Sequence, residues 1–135
     1  MVENLKFKNV AIYSSLSNKT VNSIADQVLE VLSNLGINCL FPSSSRIKIK
    51  NLKRVHTDKT VAKRADLVIA IGGDGTLLST ARNFGYYDIP VLGINLGNLG
   101  FLTDIAPANL TFELKKIMEG NFVTDKRIFL EAGVE

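Results

Sequence analysis

Four short apolar runs alternate with stretches of helical spacing, and this alternation constrains the fold more than any other feature. The runs are residues 10–13, 37–41, 67–71 and 90–94. Between the first two, apolar residues recur at Val21, Ile24, Ala25, Val28, Leu29, Val31, Leu32 and Leu35, a helical period. Ser17, Asn18 or Thr20 can cap that helix, and Gly36 suits a left-handed C′ position. A short helix is expected over 57–64, capped by Thr57 or Asp58. A third helix is expected from Thr76 through Leu77, Leu78, Ala81 and Phe84 to Gly85. A fourth, over 108–119, carries Leu110, Leu114, Ile117 and Met118 and stops at Gly120. Strands alternating with helices predict an α/β fold, a parallel sheet flanked by helices on both faces. In such sheets ligands sit beyond the carboxyl ends of the strands.

Two of the apolar runs lead directly into glycine-rich segments. Residues 67–71 run into Gly72-Gly73-Asp74-Gly75-Thr76, and residues 90–94 run into Asn95-Leu96-Gly97-Asn98-Leu99-Gly100-Phe101. Glycine loses the most backbone entropy on folding, so three around one carboxylate need a reason. Close approach of another molecule to the backbone is such a reason. Backbone amides of the loop, and the helix start near Thr76, can face anions. A carboxylate at Asp74, uncrowded by neighbouring side chains, is placed to act on what approaches.

Together these segments resemble the NAD kinases, from about residue 65 to 132. The Gly-Gly-Asp-Gly-Thr signature alone also occurs in diacylglycerol and sphingosine lipid kinases. Those proteins follow it with a polar residue and a Glu, whereas Leu77-Leu78-Ser79 follows here. A lipid kinase and a non-catalytic nucleotide-binding module are the alternatives. A dehydrogenase would want Gly-x-Gly-x-x-Gly after the first strand, where this chain has Ser14-Ser15-Leu16-Ser17. The P-loop pattern is absent.

The resemblance implies transfer of a phosphoryl group from ATP to the 2′-hydroxyl of the adenosine ribose of NAD, giving NADP. Asp74 matches the catalytic aspartate. Gly72, Gly73, Asp74, Gly75, Thr76, Leu78, Asn95, Gly97 and Phe101 are the expected cofactor-binding residues. Leu78 and Phe101 either line the adenine pocket or pack in the core. Asn95 and Gly97 either shape the loop or touch the ligand. Many family members have a basic residue where this chain has Leu96. Mg²⁺ or another divalent cation would travel with ATP on phosphates and water, with no protein metal site. The implied enzyme is a cytoplasmic homo-oligomer acting on small molecules, with no nucleic-acid or membrane partner.

Composition narrows the remaining classes. The 135 residues suffice for one domain with a core. No run of eighteen apolar residues exists, and the start lacks a signal-peptide layout. One cysteine and one histidine exclude a disulfide framework or a Cys/His metal site. Cys39 reads as a small buried strand residue.

Charge is uneven. Residues 43–64 hold eight Lys or Arg and one Asp, a net +7 within a chain of +3, so the remainder is −4. The run reads as a solvated loop and helix face, with anion binding as the alternative. Residues 46–54 are expected to be a mobile loop, and His56 an exposed loop histidine. From Lys126, Ile128, Leu130 and Ala132 alternate with Arg127, Phe129 and Glu131. The expected organisation is an α/β domain over 1–125 and the start of a β-rich second domain over 126–135. The chain reads as an N-terminal domain that ends soon after the crossing.

Overall fold

A computed structural model describes residues 7–49, 55–84, 89–96 and 110–120. Its order is β1 (Asn9–Tyr13), α1 (Lys19–Asn34), β2 (Asn38–Leu40), α2 (Asp58–Arg64), β3 (Leu67–Gly72), α3 (Asp74–Phe84), β4 (Val91–Asn95) and α4 (Leu110–Met118). The four strands form one parallel sheet in the order β2-β1-β3-β4. The expected α/β class therefore holds. Gly97, Phe101 and the strand expected over 126–134 lie outside the described residues.

Side-chain alternation along each strand sorts the core into two layers. Val10 and Ile12, Leu67, Ile69 and Ile71, and Leu92 and Ile94 pack with α1 and α4. Ala11 and Tyr13, Val68 and Ala70, and Val91 pack with α2 and α3. Residues of β3 are buried throughout, which is why its sequence reads as an unbroken apolar run. A fully buried Ile or Leu contributes roughly 1.5–3 kcal/mol, so the central strand anchors both layers.

The caps follow local chemistry. The Asn18 side chain accepts the N–H of Val21 at 2.8 Å and starts α1. At the other end Gly36 takes φ 78°. Ile37 N–H then reaches Leu32 O at 2.9 Å and Gly36 N–H reaches Ser33 O at 3.0 Å, a Schellman closure. Thr57 caps α2 through Thr60 N–H at 3.1 Å.

Three expectations need correction. α3 begins at Asp74, two residues before the expected start. The Gly73 carbonyl already accepts Leu77 N–H at 3.1 Å, and an acid is a favourable first-turn residue beside the helix dipole. His56 is buried, not an exposed loop residue. Its Nδ1 accepts Phe41 N–H at 3.3 Å, its own N–H donates to Phe41 O at 2.8 Å, and it bridges Pro42. The chain leaving β2 and the chain entering α2 run side by side there, which takes the imidazole inside. Of the loop expected over 46–54, residues 50–54 lie outside the described residues, and residues 46–49 are tied by hydrogen bonds and packing rather than wholly solvated. Arg46 N–H donates to Ser14 O at 2.8 Å, Lys48 N–H donates to Asn22 Oδ1 at 3.0 Å, and Ile47 and Ile49 pack on the core.

Candidate functional site

From β1 the chain goes to β2 on one side, then crosses to β3 on the other side of β1. The winding direction therefore reverses between β1 and β3. Loops that leave the carboxyl ends of these two strands diverge, and a crevice opens between them. The loop after β1 holds Ser14 to Ser17, and the junction after β3 holds Gly72 and Gly73.

The three glycines of that junction have different reasons to be glycine. Gly72 takes φ 156°, and a Cβ built there would lie 2.8 Å from Thr76 Cβ and against Thr76 Oγ1. Its lack of a side chain lets β3 and α3 join closely. A Cβ at Gly73 or Gly75 would meet nothing within 4 Å among the described residues, and neither has a positive φ that disfavours a side chain. The fold itself does not demand glycine at these two positions. They leave an open space at the start of α3, where first-turn N–H groups have no intrahelical acceptor.

β3 and β4 are neighbours, and Gly72 pairs in register with Asn95. Leu96 N–H then donates to Gly72 O at 3.2 Å. The two glycine-rich segments, separated by nearly twenty residues, thus begin side by side. Asp74 is the first residue of α3, directly after the glycine pair. Leu78 is 46% exposed on α3 rather than buried in the core. Thr76 is buried, and its hydroxyl lies 2.7 Å from Ser15 Oγ.

Several residues of this mouth escape sequence reasoning. Ser15 ties the β1 loop to α3 through Thr76. Tyr13 OH lies 2.7 Å from Ser79 Oγ and accepts from Asn83 Nδ2 at 3.4 Å. Tyr13 also meets Phe84 edge-on, with centroids 5.9 Å apart and planes at 80°. Thr80 Oγ1 donates to Thr76 O at 2.8 Å, one turn back along α3, which satisfies this buried hydroxyl. The available signal was the density of serines after the first strand, which only gains meaning once β1 and β3 are adjacent.

A switch-point crevice with a glycine-bearing strand-to-helix junction defines the doubly wound α/β class. Within that class, the ATP-NAD kinase N-terminal domain model matches residues 8–122. The chain belongs to the NAD kinase family. It is 46% identical over 88 residues to the NAD kinase of Escherichia coli O1:K1, covering 65% of this chain and 30% of that protein. Against the NAD kinase of Enterobacter sp. (strain 638) it is 43% identical over 91 residues, covering 67% and 31%. The chain thus spans about a third of the length of these relatives. A crystal structure of yeast NADH kinase complexed with NADH superposes with a TM-score of 0.68 at 23% identity, covering 88% of this chain and 38% of that one. This likeness establishes the shared fold.

Proposed function

We propose that the protein is an NAD kinase and that this chain supplies one wall of its active site. ATP would phosphorylate the 2′-hydroxyl of the adenosine ribose of NAD. The bond from the γ-phosphorus to the bridging oxygen breaks and a bond to the ribose oxygen forms. NADP and ADP leave, and the hydroxyl proton passes to Asp74 or through it to water. Phosphoryl transfer depends on positioning and charge stabilisation more than on covalent help from the protein. Gly73 and Gly75 leave room for the ribose and phosphates, and the start of α3 faces them with free N–H groups. Leu78, Asn95, Gly97 and Phe101 would complete the dinucleotide contacts on this side.

Carrying this reading is the Gly72–Asn95 pairing, which unites the two segments that resemble the family. No group of three His, Cys, Asp or Glu side chains gathers to hold a metal among the described residues. In this reading the divalent cation that accompanies ATP would be held largely by phosphates and water, and no step is assigned to it. The relatives are about three times longer than the matched part, so a second, β-rich domain beginning near residue 126 would form the opposite wall. A cytoplasmic homo-oligomer fits the family reading. Burial pushes the Cys39 thiol up to about 11, which slows its reaction as a nucleophile.

Asp74→Asn tests the proposal. In the full-length protein it should lower NADP formation by about 10²–10⁴-fold, the usual cost of losing a general base, with the melting temperature kept. Turnover within a factor of two of wild type would remove Asp74 from the chemistry.

A further inference from the structure

α3 is bonded to the end of β1 at two points, and the first lies in the turn that carries Asp74. Ser15 Oγ, just past β1, lies 2.7 Å from Thr76 Oγ1. Three residues further along α3, Ser79 Oγ lies 2.7 Å from Tyr13 OH, and Asn83 Nδ2 donates to the same oxygen at 3.4 Å. The two hydroxyl pairs span 61 and 66 residues of sequence, so neither follows from local chain geometry. From this arrangement we infer that Ser15 and Thr76 are positioning residues, whose hydroxyl bridge fixes the first turn of α3, and with it Asp74, against the carboxyl end of β1. That Asp74 is the base being aligned rests on the kinase reading above.

Thr76 is placed for this task rather than for ligand contact. It is 2% exposed, and its side chain fills the space that Gly72 leaves open, with its Cβ 2.8 Å from where a Cβ on Gly72 would stand. A buried threonine in a helix ordinarily returns its hydroxyl to a carbonyl one turn back, as Thr80 does. The Thr76 hydroxyl is turned to Ser15. A buried hydroxyl that loses its partner keeps its desolvation cost, so the bridge resists opening.

Ser15 in turn is carried by a fixed lip. Ser14 before it is buried. Ser14 N–H donates to Ser45 Oγ at 3.1 Å, Ser14 O accepts Arg46 N–H at 2.8 Å, and Ser14 Oγ accepts Leu16 N–H at 3.0 Å. The bridge passes that fixed position to α3. Two points of attachment set a direction, whereas one allows a pivot. Thr76 and Ser79 stand about 4.5 Å apart along the helix axis at 1.5 Å per residue. Without the Ser15 bridge, α3 stays held at Tyr13 through its hydroxyl and its edge contact with Phe84. Its first turn is then left to swing on the junction at Gly72 and Gly73. Asp74 is the first residue of that turn. Phosphoryl transfer depends on alignment, and a displacement of about 1 Å can cost roughly a hundredfold.

Steady-state kinetics of the full-length protein, with NAD and ATP varied separately, test this through a double-mutant cycle. Thr76→Val keeps the shape of the side chain and removes the hydroxyl, and Ser15→Ala removes its partner. Each should lower kcat about tenfold and leave both KM values within about twofold. Together they should also cost about tenfold, because one bridge is lost either way, whereas independent roles would multiply to about a hundredfold. Thr76→Ser keeps the hydroxyl and should hold kcat within about threefold of wild type. Thr57→Ala removes the cap of α2, lowers stability and should leave kcat unchanged. Wild-type kcat in Thr76→Val or Ser15→Ala, a raised KM with kcat kept, a multiplied loss in the double variant, or an equal fall in kcat with Thr57→Ala would each overturn the assignment.

The same variants separate this inference from the kinase reading. If Asp74→Asn lowers NADP formation strongly while Thr76→Val and Ser15→Ala keep full kcat, the bridge has no positioning role and the kinase reading stands. If no form of the protein phosphorylates NAD, the kinase reading falls, and amide exchange over residues 74–80 decides the bridge alone. Exchange there should quicken by about threefold or more in both Ser15→Ala and Thr76→Val and not in Thr57→Ala. Unchanged protection would overturn the bridge as well.

Discussion

Gly75→Ala should make the protein more stable and less active. Gly75 sits in the first turn of α3, exposed, with no positive φ to forbid a side chain and nothing within 4 Å of an added Cβ. Alanine removes backbone freedom from the unfolded chain at no steric cost to the fold. The usual gain is roughly 0.5–1 kcal/mol, and a first-turn position belongs at the lower end. For a chain of this size, unfolding entropy near 2.1 cal/mol/K per residue converts that into a rise in Tm of about 2–3 °C.

On the proposed kinase reading, the new methyl would project into the space that ribose and phosphates occupy. A misplacement there should cost NADP formation about tenfold or more, since the reaction depends on alignment. Gly72→Ala is the contrast, because its Cβ collides with Thr76. Overpacking of this kind costs about 1–3 kcal/mol, so Tm should fall. Differential scanning fluorimetry of this 135-residue chain, beside a coupled NADP assay on the full-length protein, reads both quantities. If Gly75→Ala melts higher and keeps full activity, the open space is unused. If it melts lower, glycine is there for the turn, and the argument from open space is wrong.

Other expectations rest on single contacts. Asn18→Ala removes the cap on Val21 N–H and should lower stability by about 1 kcal/mol without changing the KM for NAD or ATP. Cys39 should react with a thiol reagent at pH 8 roughly a hundredfold more slowly than a free thiol, because burial raises its pKa from 9.0 to about 11. By the same linkage its contribution to stability is intact below pH 9 and is lost as pH rises through 11, which a pH series of urea melts would detect. Residues 1–135 alone should fold yet make no measurable NADP from NAD and ATP. Robust formation by the purified chain, free of host enzyme, would refute the two-wall site.

The helices and strands were legible because their causes are local. Val21, Ile24, Ala25, Val28 and Leu32 lie on one face by the helical period alone, and Gly36 closes α1 through bonds that reach back only five residues. The family resemblance was legible because it is carried by contiguous residues, Gly72 to Thr76 and Asn95 onward. His56 was misread because its burial depends on Phe41 and Pro42, brought alongside by a loop whose charge gave no hint of pairing. The same loop's Arg46 and Lys48 counted only as charge density until their backbones were seen anchored to Ser14 and Asn22.

The glycines divide most clearly between the two sources. By itself, the sequence determined that a strand runs into three glycines and one aspartate, and that a second glycine-rich segment follows another strand. Only the tertiary structure decided that β4 lies beside β3, so that Gly72 faces Asn95, and that β1 lies on the other side, so that Ser15 reaches Thr76. It alone separated Gly72, which the packing of Thr76 requires, from Gly73 and Gly75, which stand in open space. Period and capping act within one turn of chain and are written in consecutive residues. Parallel strand order is set by burial of whole faces through crossovers of a dozen or more residues, and no local run of sequence encodes it.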